Sequence, residues 1–334
     1  MNVEDFLRHP APILDVRSPS EFLQGHIPGA LSFPLFSDIE RMEVGTLYKK
    51  EGHDAAVRLG LKFIGPKLAS LVEKADQISH STKTFRMYCW RGGMRSSSLA
   101  WLLKTAGFDC IVLTKGYKAF RGWALNQFKK SYPLIVLGGL TGSGKTDLLW
   151  ELKRQNEHIL DLEALANHRG SSFGHLGCSP QPSAEHFENN LAWQLAQFDG
   201  KSSIWIEDES RMIGTCPIPQ PLWKQMSEAS FFWIQCPKAD RVKRLLSSYG
   251  EYPLEDMSQA TQRLVKKLGA VRTKEVIQFI QNQDLENAIS TILDYYDQAY
   301  LHACQKRNRE RIEFNYSGSV LELVDQLKTR NESL

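Results

Sequence analysis

Residues 88–96, YCWRGGMRS, place one thiol, two glycines and two arginines between an apolar run and an amphipathic one. A cysteine at the C-terminal end of a strand, followed by a glycine-bearing loop that opens a helix at about Ser96, meets converging backbone N–H groups and the positive end of the helix dipole. Such a setting stabilises a thiolate. Arg91 and Arg95 add positive charge that lowers the thiol pKa further, and Gly92 and Gly93 supply the positive-φ conformations of a tight anion-cradling turn. Cys89 is therefore the candidate nucleophile. The other five cysteines, Cys110, Cys178, Cys216, Cys236 and Cys304, form no C-x-x-C pair and no zinc spacing, and read as packing residues.

A second chemistry is written at Gly139–Thr146, GLTGSGKT, which matches G-x-x-x-x-G-K-[ST] between an apolar run and an amphipathic one. Gly139, Gly142, Ser143 and Gly144 let backbone N–H groups wrap a phosphate. Lys145 supplies a point charge to the outer phosphate, and the Thr146 hydroxyl reaches a magnesium ion if one is bound. IWIEDES (Ile204–Ser210) is an apolar strand ending in acids, so Glu207 or Asp208 is the candidate water-mediated Mg²⁺ partner; a solvated strand end is the alternative. Neither an adenine site nor an arginine finger can be identified by spacing, so the loop is assigned a phosphate, and whether that phosphate belongs to a nucleotide stays open.

Between these elements, LDLEALANHRGSSFGHLG (Leu160–Gly177) gathers Glu163, His168, Arg169, Gly170 and Ser171 in close order. Arg169 and His168 suit an anionic substrate, and Gly170 and Gly174 allow close backbone approach. Arg211, just after the acidic strand end, joins them as a candidate substrate contact. QPSAEHFENNLAW starts a helix capped by Ser183, with Glu185 and Glu188 in its early turns.

The elements that must position these residues alternate. PILDVR, FRMYC and CIVL are short strand-type runs, and KLASLVEKA and SSLAWLLKTAG space apolar residues at three and four. After a basic linker the pattern restarts with LIVLGG, TDLLWELKRQ, SIWIED and FFWIQC, and from about Asp240 the chain is mostly helical. The expectation is an α/β protein: a parallel-sheet domain over 1–125, a linker over 126–133, a second α/β domain over 134–240, and a helical extension over 241–334.

Composition sets bounds. The chain has 334 residues, 42% hydrophobic and 24% charged, enough for two or three ordinary cores. No run approaches the roughly 18 consecutive apolar residues of a membrane span, and Asp5, Asp15 and Glu21 interrupt the region where a signal peptide would be apolar, so a cytoplasmic, membrane-free protein is expected. The formal charge of +3 is uneven: Met1–Pro133 holds 19 Lys and Arg against 12 Asp and Glu, whereas Lys238–Lys274 holds nine against four. Two basic regions fit a polyanionic partner, with solvated helix faces as the plain alternative. Lys266, Lys267, Arg272 and Lys274, near Tyr249 and Tyr252, are the candidate contacts to nucleic acid phosphates, and KRNRER (Lys306–Arg311) is a second cluster. Tyr295, Tyr296 and Tyr300, at helical spacing, read as core.

The Cys89 loop resembles a rhodanese active-site loop, and LDVRSPSEFLQGHIPGALSFPL (Leu14–Leu35) is similar to the DVR-x-x-x-E-F-x-x-G-H-I-P-G-A signature of that superfamily. The resemblance makes Asp15, Arg17 and His26 scaffold residues. The order of that loop, GLTGSGKT, LDLEALANHRGSSFG, QPSAEHFEN, WIEDESRMIG and YYDQAY resembles the tRNA 2-selenouridine synthases over nearly the whole chain. It implies a rhodanese-like parallel-sheet domain followed by a P-loop NTPase-like domain with a helical extension.

It also implies an activity: replacement of sulfur by selenium in 2-thiouridine at the wobble position of tRNA anticodons, through an S-geranyl intermediate. The substrates are then selenophosphate, delivered by a selenophosphate-producing enzyme, and geranyl diphosphate, with no tightly bound cofactor and with Mg²⁺ left open. Cys89 would attack or accept selenium as a perselenide, and the phosphate loop would hold one of the two phosphorylated substrates. Two rivals remain at this point: a nucleotide-dependent kinase or ATPase with a rhodanese sulfur-carrier module, and a non-catalytic persulfide carrier.

Overall fold

The computed structural model describes residues 1–79, 83–170, 173–174, 176–250, 252–307, 309–316 and 318–333, without the side chains of residues 303, 306 and 307. The chain divides into two compact units, Met1–Gln127 with Glu188–Trp193, and Phe128–Phe187 with Gln194–Leu334.

The first unit is built on β1 (Ile13–Asp15), β2 (Ala30–Ser32), β3 (Thr84–Tyr88) and β4 (Asp109–Val112), all parallel in the order β2-β1-β3-β4. β3 lies in the interior of the sheet, which explains why its last four residues are all buried. Leu14, Val16, Phe85, Met87 and Leu99 form the centre of the core. Between β2 and β3 the chain makes a helical hairpin, Asp38–Glu51 and His53–Ile64, turning at Gly52 with φ 88°.

The second unit carries β5 (Leu134–Gly139), β6 (His158–Leu160), β7 (Ile204–Glu207), the small antiparallel pair β8 (Met212–Ile213) and β9 (Cys216–Pro217), β10 (Ser230–Gln235) and β11 (Arg311–Asn315). The main sheet is parallel with the order β11-β10-β5-β7-β6. From β5 the chain goes first to one side and later to the other, so the C-terminal end of β5 is the topological switch point, where open α/β sheets bind ligands. Leu137, Leu149, Trp205, Phe232 and Leu323 fill the core beside it. A second apolar cluster, with Met257, Val276, Ile280 and Ile292, holds the helical region together.

Within the mainly helical extension, β11 adds one strand to the sheet. Its alternation of Arg311, Ile312, Glu313 and Phe314 is strand-like, and it pairs with β10 in register Phe231 with Arg311 through Gln235 with Asn315. Among the described residues no helix is long and apolar enough to cross a membrane.

Candidate active site

β3 ends at Tyr88, and Cys89 leaves it with Sγ 3.3 Å from Ser96 Oγ and 3.2 Å from the Gly93 N–H nitrogen. Burial pushes the thiol up, but the Ser96 hydroxyl and the N–H groups of Ser96, Gly93 and Arg91 outweigh it and hold Cys89 below the ordinary thiol range. At Cys110, Cys216 and Cys236 burial wins and the thiols are pushed up, Cys110 to about 11. Cys89 is thus set apart by its donors.

The two arginines act differently from the expectation. Arg95 lies 2.7 Å from Glu21, which Arg41 also approaches at 3.5 Å, so the Arg95 charge is engaged in pinning Glu21 to the loop. Arg91 is exposed. The thiol is lowered by the hydroxyl and by backbone dipoles instead. Gly92, at φ 63°, has no room for a side chain, because a Cβ would sit 2.6 Å from the Leu113 carbonyl oxygen. Gly93, at φ −102°, is extended and needs no left-handed freedom; it caps the helix Met94–Thr105, which starts two residues before Ser96.

The scaffold below is a buried ion pair. Arg17 donates to Asp15 at 2.6 Å and to the Gly25 carbonyl at 2.6 Å, Tyr88 Oη donates to Asp15 at 2.7 Å, and the guanidinium lies 3.7 Å from the Tyr117 ring centroid. His26 stacks on Phe22 and bonds the Phe22 carbonyl, and burial lowers its pKa.

In the second unit the phosphate loop joins β5 to the helix Lys145–Arg154. Gly142 (φ 81°) and Gly144 (φ 86°) turn the backbone so that its N–H groups can face an anion. Lys145 Nζ donates to the Gly139 carbonyl at 2.9 Å, within the loop it serves, and Ser143 is fully buried. Thr146 Oγ1 lies 3.4 Å from Glu163.

Two arginines that the sequence did not single out clasp this loop from the helix Lys238–Tyr249. Arg241 makes a bidentate pair with Asp297 at 2.7 and 2.9 Å and donates to the Thr141 carbonyl; Arg244 donates to the Gly142 carbonyl at 3.0 Å and packs where a Gly144 side chain would be. Arg244 is only half-buried and lines the cavity above the loop. The apolar positions of its helix and the arginine spacing were visible, but its target lies about one hundred residues upstream.

That cavity, about 660 Å³, brings Glu163, Arg169, Gly170, Glu207, Asp208 and Glu209 together with Gly139 and Gly142–Thr146. Glu207 is buried, accepts from the Glu163 N–H at 2.9 Å and is pushed well up, first by burial and then by the charges of Asp161, Glu163 and Glu209. Glu209, absent from the sequence expectation, is pushed up to about 8 by burial and by Glu163. Asp208 accepts from Tyr300 Oη at 2.5 Å and from Arg309 at 3.3 Å, which ties the strand end to the long helix Leu285–Arg307. Among the described residues no three His, Cys, Asp or Glu side chains form a cation site.

The same cavity is also lined by the apolar side chains of Ile280, Leu285, Ile289, Ile292 and Leu293. Of the remaining candidates, His168 packs against Gly174 and does not line the cavity; nor does the exposed Arg211, while Ser171 lies outside the described residues. Ser183 Oγ accepts from the His186 N–H at 3.0 Å, as a helix cap does. Lys266, Lys267, Arg272 and Lys274 are exposed, and Lys267 also reaches the cavity rim. Tyr249 and Tyr252 are half-buried and pack on each other, with Tyr249 also against Phe173 and in the lining of the phosphate cavity. The side chains of Lys306 and Arg307, and all of Asn308, lie outside the described residues.

A low-pKa thiol at the end of a parallel strand, and a glycine loop at the switch point of a second parallel sheet, define a rhodanese-type domain joined to a P-loop domain. The Rhodanese-like domain family matches residues 3–122, and the tRNA 2-selenouridine synthase AAA domain matches residues 132–333. The chain belongs to the tRNA 2-selenouridine synthase family. It is similar to the tRNA 2-selenouridine synthase of Pseudomonas savastanoi pv. phaseolicola, with 33% identity over 96% of this chain and 95% of that one. The corresponding protein of Bordetella bronchiseptica is 34% identical over 97% of this chain and 96% of that one, and that of Ectopseudomonas mendocina is 32% identical over 98% and 95%.

Proposed function

We propose that the protein replaces the sulfur of 2-thiouridine in tRNA by selenium in two steps, using geranyl diphosphate and selenophosphate. Full-length similarity to enzymes named tRNA 2-selenouridine synthase supports the overall conversion. The observation that carries the division into steps is the mixed lining of the phosphate cavity, which combines Lys145 and the glycine loop with the apolar side chains of Ile280, Leu285, Ile289 and Ile292. A prenyl diphosphate combines an anionic head and an apolar chain in the same way.

In the first step the nucleoside sulfur attacks C1 of the geranyl group, the C–O bond breaks, diphosphate leaves with the electron pair, and the base gives up its N3 proton to solvent, which returns it when 2-selenouridine forms. Charge builds on the leaving oxygens, and Lys145, Arg244 and the glycine loop, which line the cavity, supply the positive charge and N–H donors that stabilise it in this reading. In the second step the Cys89 thiolate adds at C2 of the base, geranylthiolate departs and takes a proton, and selenophosphate then displaces Cys89 through selenium. Water cleaves the Se–P bond, giving phosphate and 2-selenouridine. No atom changes oxidation state. A perselenide on Cys89 would need selenium two electrons more oxidised than selenophosphate supplies, so the route through C2 is the one these substrates balance.

The polyanionic substrate matches the basic residues Lys266, Lys267, Arg272 and Lys274 on the surface of the second unit. The test is to incubate the protein with 2-thiouridine tRNA, geranyl diphosphate and selenophosphate, digest the tRNA and weigh the nucleosides. A 2-selenouridine peak that requires both small substrates supports the reading; selenium incorporation without geranyl diphosphate overturns the two-step course.

A further inference from the structure

The first unit contains an apolar cavity of about 830 Å³, in the size range of small-molecule pockets. Its walls are the helical hairpin Asp38–Glu51 and His53–Ile64, and its remaining side is the Cys89 loop itself, through Trp90, Arg91, Met94 and Arg95. Met42, Tyr48, Leu61, Trp90 and Met94 all line it, and all are large apolar or aromatic side chains between 39% and 64% exposed. A concentration of exposed apolar groups in one concave place marks a binding site and not a random surface.

We infer that this cavity receives the geranyl chain of the S-geranyl-tRNA intermediate while Cys89 displaces it; the inference rests on the two-step reading above. Three observations select this occupant. The cavity begins at Trp90 and Arg91, which directly follow Cys89, so a chain held there lies beside the reacting thiol. The lining is hydrocarbon-like, which suits a branched ten-carbon chain and not a base or sugar. Two of its four Lys and Arg side chains, Arg41 and Arg95, are engaged by Glu21, and the lining has no glycine loop of the kind that surrounds Lys145. The chain therefore enters on the tRNA and leaves as the thiol, whereas the diphosphate donor is held at Lys145. Exposed Arg91 and Lys49 at the cavity line suit the phosphates of the carrying strand.

The experiment compares anticodon stem-loops bearing S-geranyl- or S-methyl-2-thiouridine, each with selenophosphate, in the full-length protein and in Thr46→Trp, which fills the cavity from an exposed position on its wall. Buried hydrocarbon contributes about 0.8 kcal/mol per CH₂, so the wild-type protein should prefer the geranyl substrate in kcat/KM by roughly 100-fold or more. Thr46→Trp should lose at least about tenfold on the geranyl substrate and stay within about twofold on the methyl one, with geranylation by geranyl diphosphate also within about twofold. Val57→Trp, on the second helix of the hairpin, should repeat the pattern, and a thermal melt of each variant reports folding. Equal use of both substrates by the wild-type protein, or an equal loss on both in the variants, overturns the inference while leaving the two-step reading intact. No 2-selenouridine from the geranyl substrate at all overturns both.

Discussion

Ser96 Oγ stands 3.3 Å from Cys89 Sγ, on the first turn of the helix whose N-terminus faces the thiol. The side-chain donor and the helix start thus come from one short segment, and together they hold the thiolate against the cost of burial. Ser96→Ala removes one charge-assisted bond, so the Cys89 pKa should rise toward the ordinary thiol range. The pH dependence of Cys89 alkylation, read from the mass of its peptide, checks this. An unchanged midpoint would assign the stabilisation to the backbone alone.

Asp15 and Arg17 are both fully buried, and Arg17 reaches Asp15 through three contacts of 2.6–3.1 Å. Asp15→Asn leaves a buried guanidinium without its counter-charge and should cost about 3–5 kcal/mol of stability, because breaking one side of such a pair strands the other. Urea unfolding followed by circular dichroism gives the number. A loss under about 1 kcal/mol would mean that the aromatic cage of Tyr88 and Tyr117 suffices to hold the cation.

Arg244 and Arg241 sit on one helix over one loop, yet their roles should separate. Arg244→Ala, at the half-buried residue facing the cavity, should weaken inorganic diphosphate binding about tenfold with little change in melting temperature. Arg241→Ala breaks the buried pair with Asp297 and should lower stability first. Calorimetric titration with diphosphate, beside a thermal melt, distinguishes the two; a matching loss of stability in both variants would make Arg244 a structural residue.

Glu209 is pushed up to about 8 by burial and the neighbouring Glu163 charge. A carboxyl raised in the folded state binds more protons there than when unfolded. Its contribution is fully present below the ordinary carboxylate range and is lost as pH rises through about 8. The melting temperature should therefore fall between pH 6 and pH 9, and Glu209→Gln, neutral throughout, should flatten that fall. An equally steep profile in the variant would show that Glu209 does not titrate in this range.

The parts of this architecture that were legible in the sequence are those written in consecutive residues. YCWRGG and GLTGSGKT are local chemistry, because one strand end, one turn and one helix start suffice to make each cradle. What could not be read is what distant segments add. Arg95 looked like a charge for the thiol, but Glu21, 74 residues earlier, engages it. Asp208 reads in the sequence as a candidate Mg²⁺ partner at a strand end, and in the fold its two oxygens accept from Tyr300 and Arg309. Arg244, Glu209 and the cavity between the helices Asp38–Glu51 and His53–Ile64 exist only after packing. The alternation of β11 is local, but it starts at Arg311, the last residue of the basic run KRNRER, and only its pairing with β10 makes it a strand of the sheet.

Lys266, Lys267, Arg272 and Lys274 all point to solvent on short helices, Val265–Leu268 and Ala270–Gln281. Replacing two of them by Gln should weaken tRNA binding and reduce the slope of log Kd against log salt by roughly 0.7 to 0.9 per lost phosphate contact. Filter binding between low and moderate salt measures it, and an unchanged slope would return these residues to an ordinary solvated face.

The division of labour between the thiol and the phosphate loop is tested most directly by separating the half-reactions in Lys145→Ala and Cys89→Ser. Each variant receives 2-thiouridine tRNA with geranyl diphosphate, and separately pre-geranylated tRNA with selenophosphate, and the nucleosides are weighed. Lys145→Ala should lose geranylation by about 100-fold or more while keeping selenation, since removing a preorganised charge from a leaving group costs several kcal/mol. Cys89→Ser should geranylate normally and form no 2-selenouridine. Normal geranylation by Lys145→Ala, or failure of Cys89→Ser at that step while it still binds tRNA, would contradict the assignment of the phosphate loop to the prenyl donor and of Cys89 to selenium exchange.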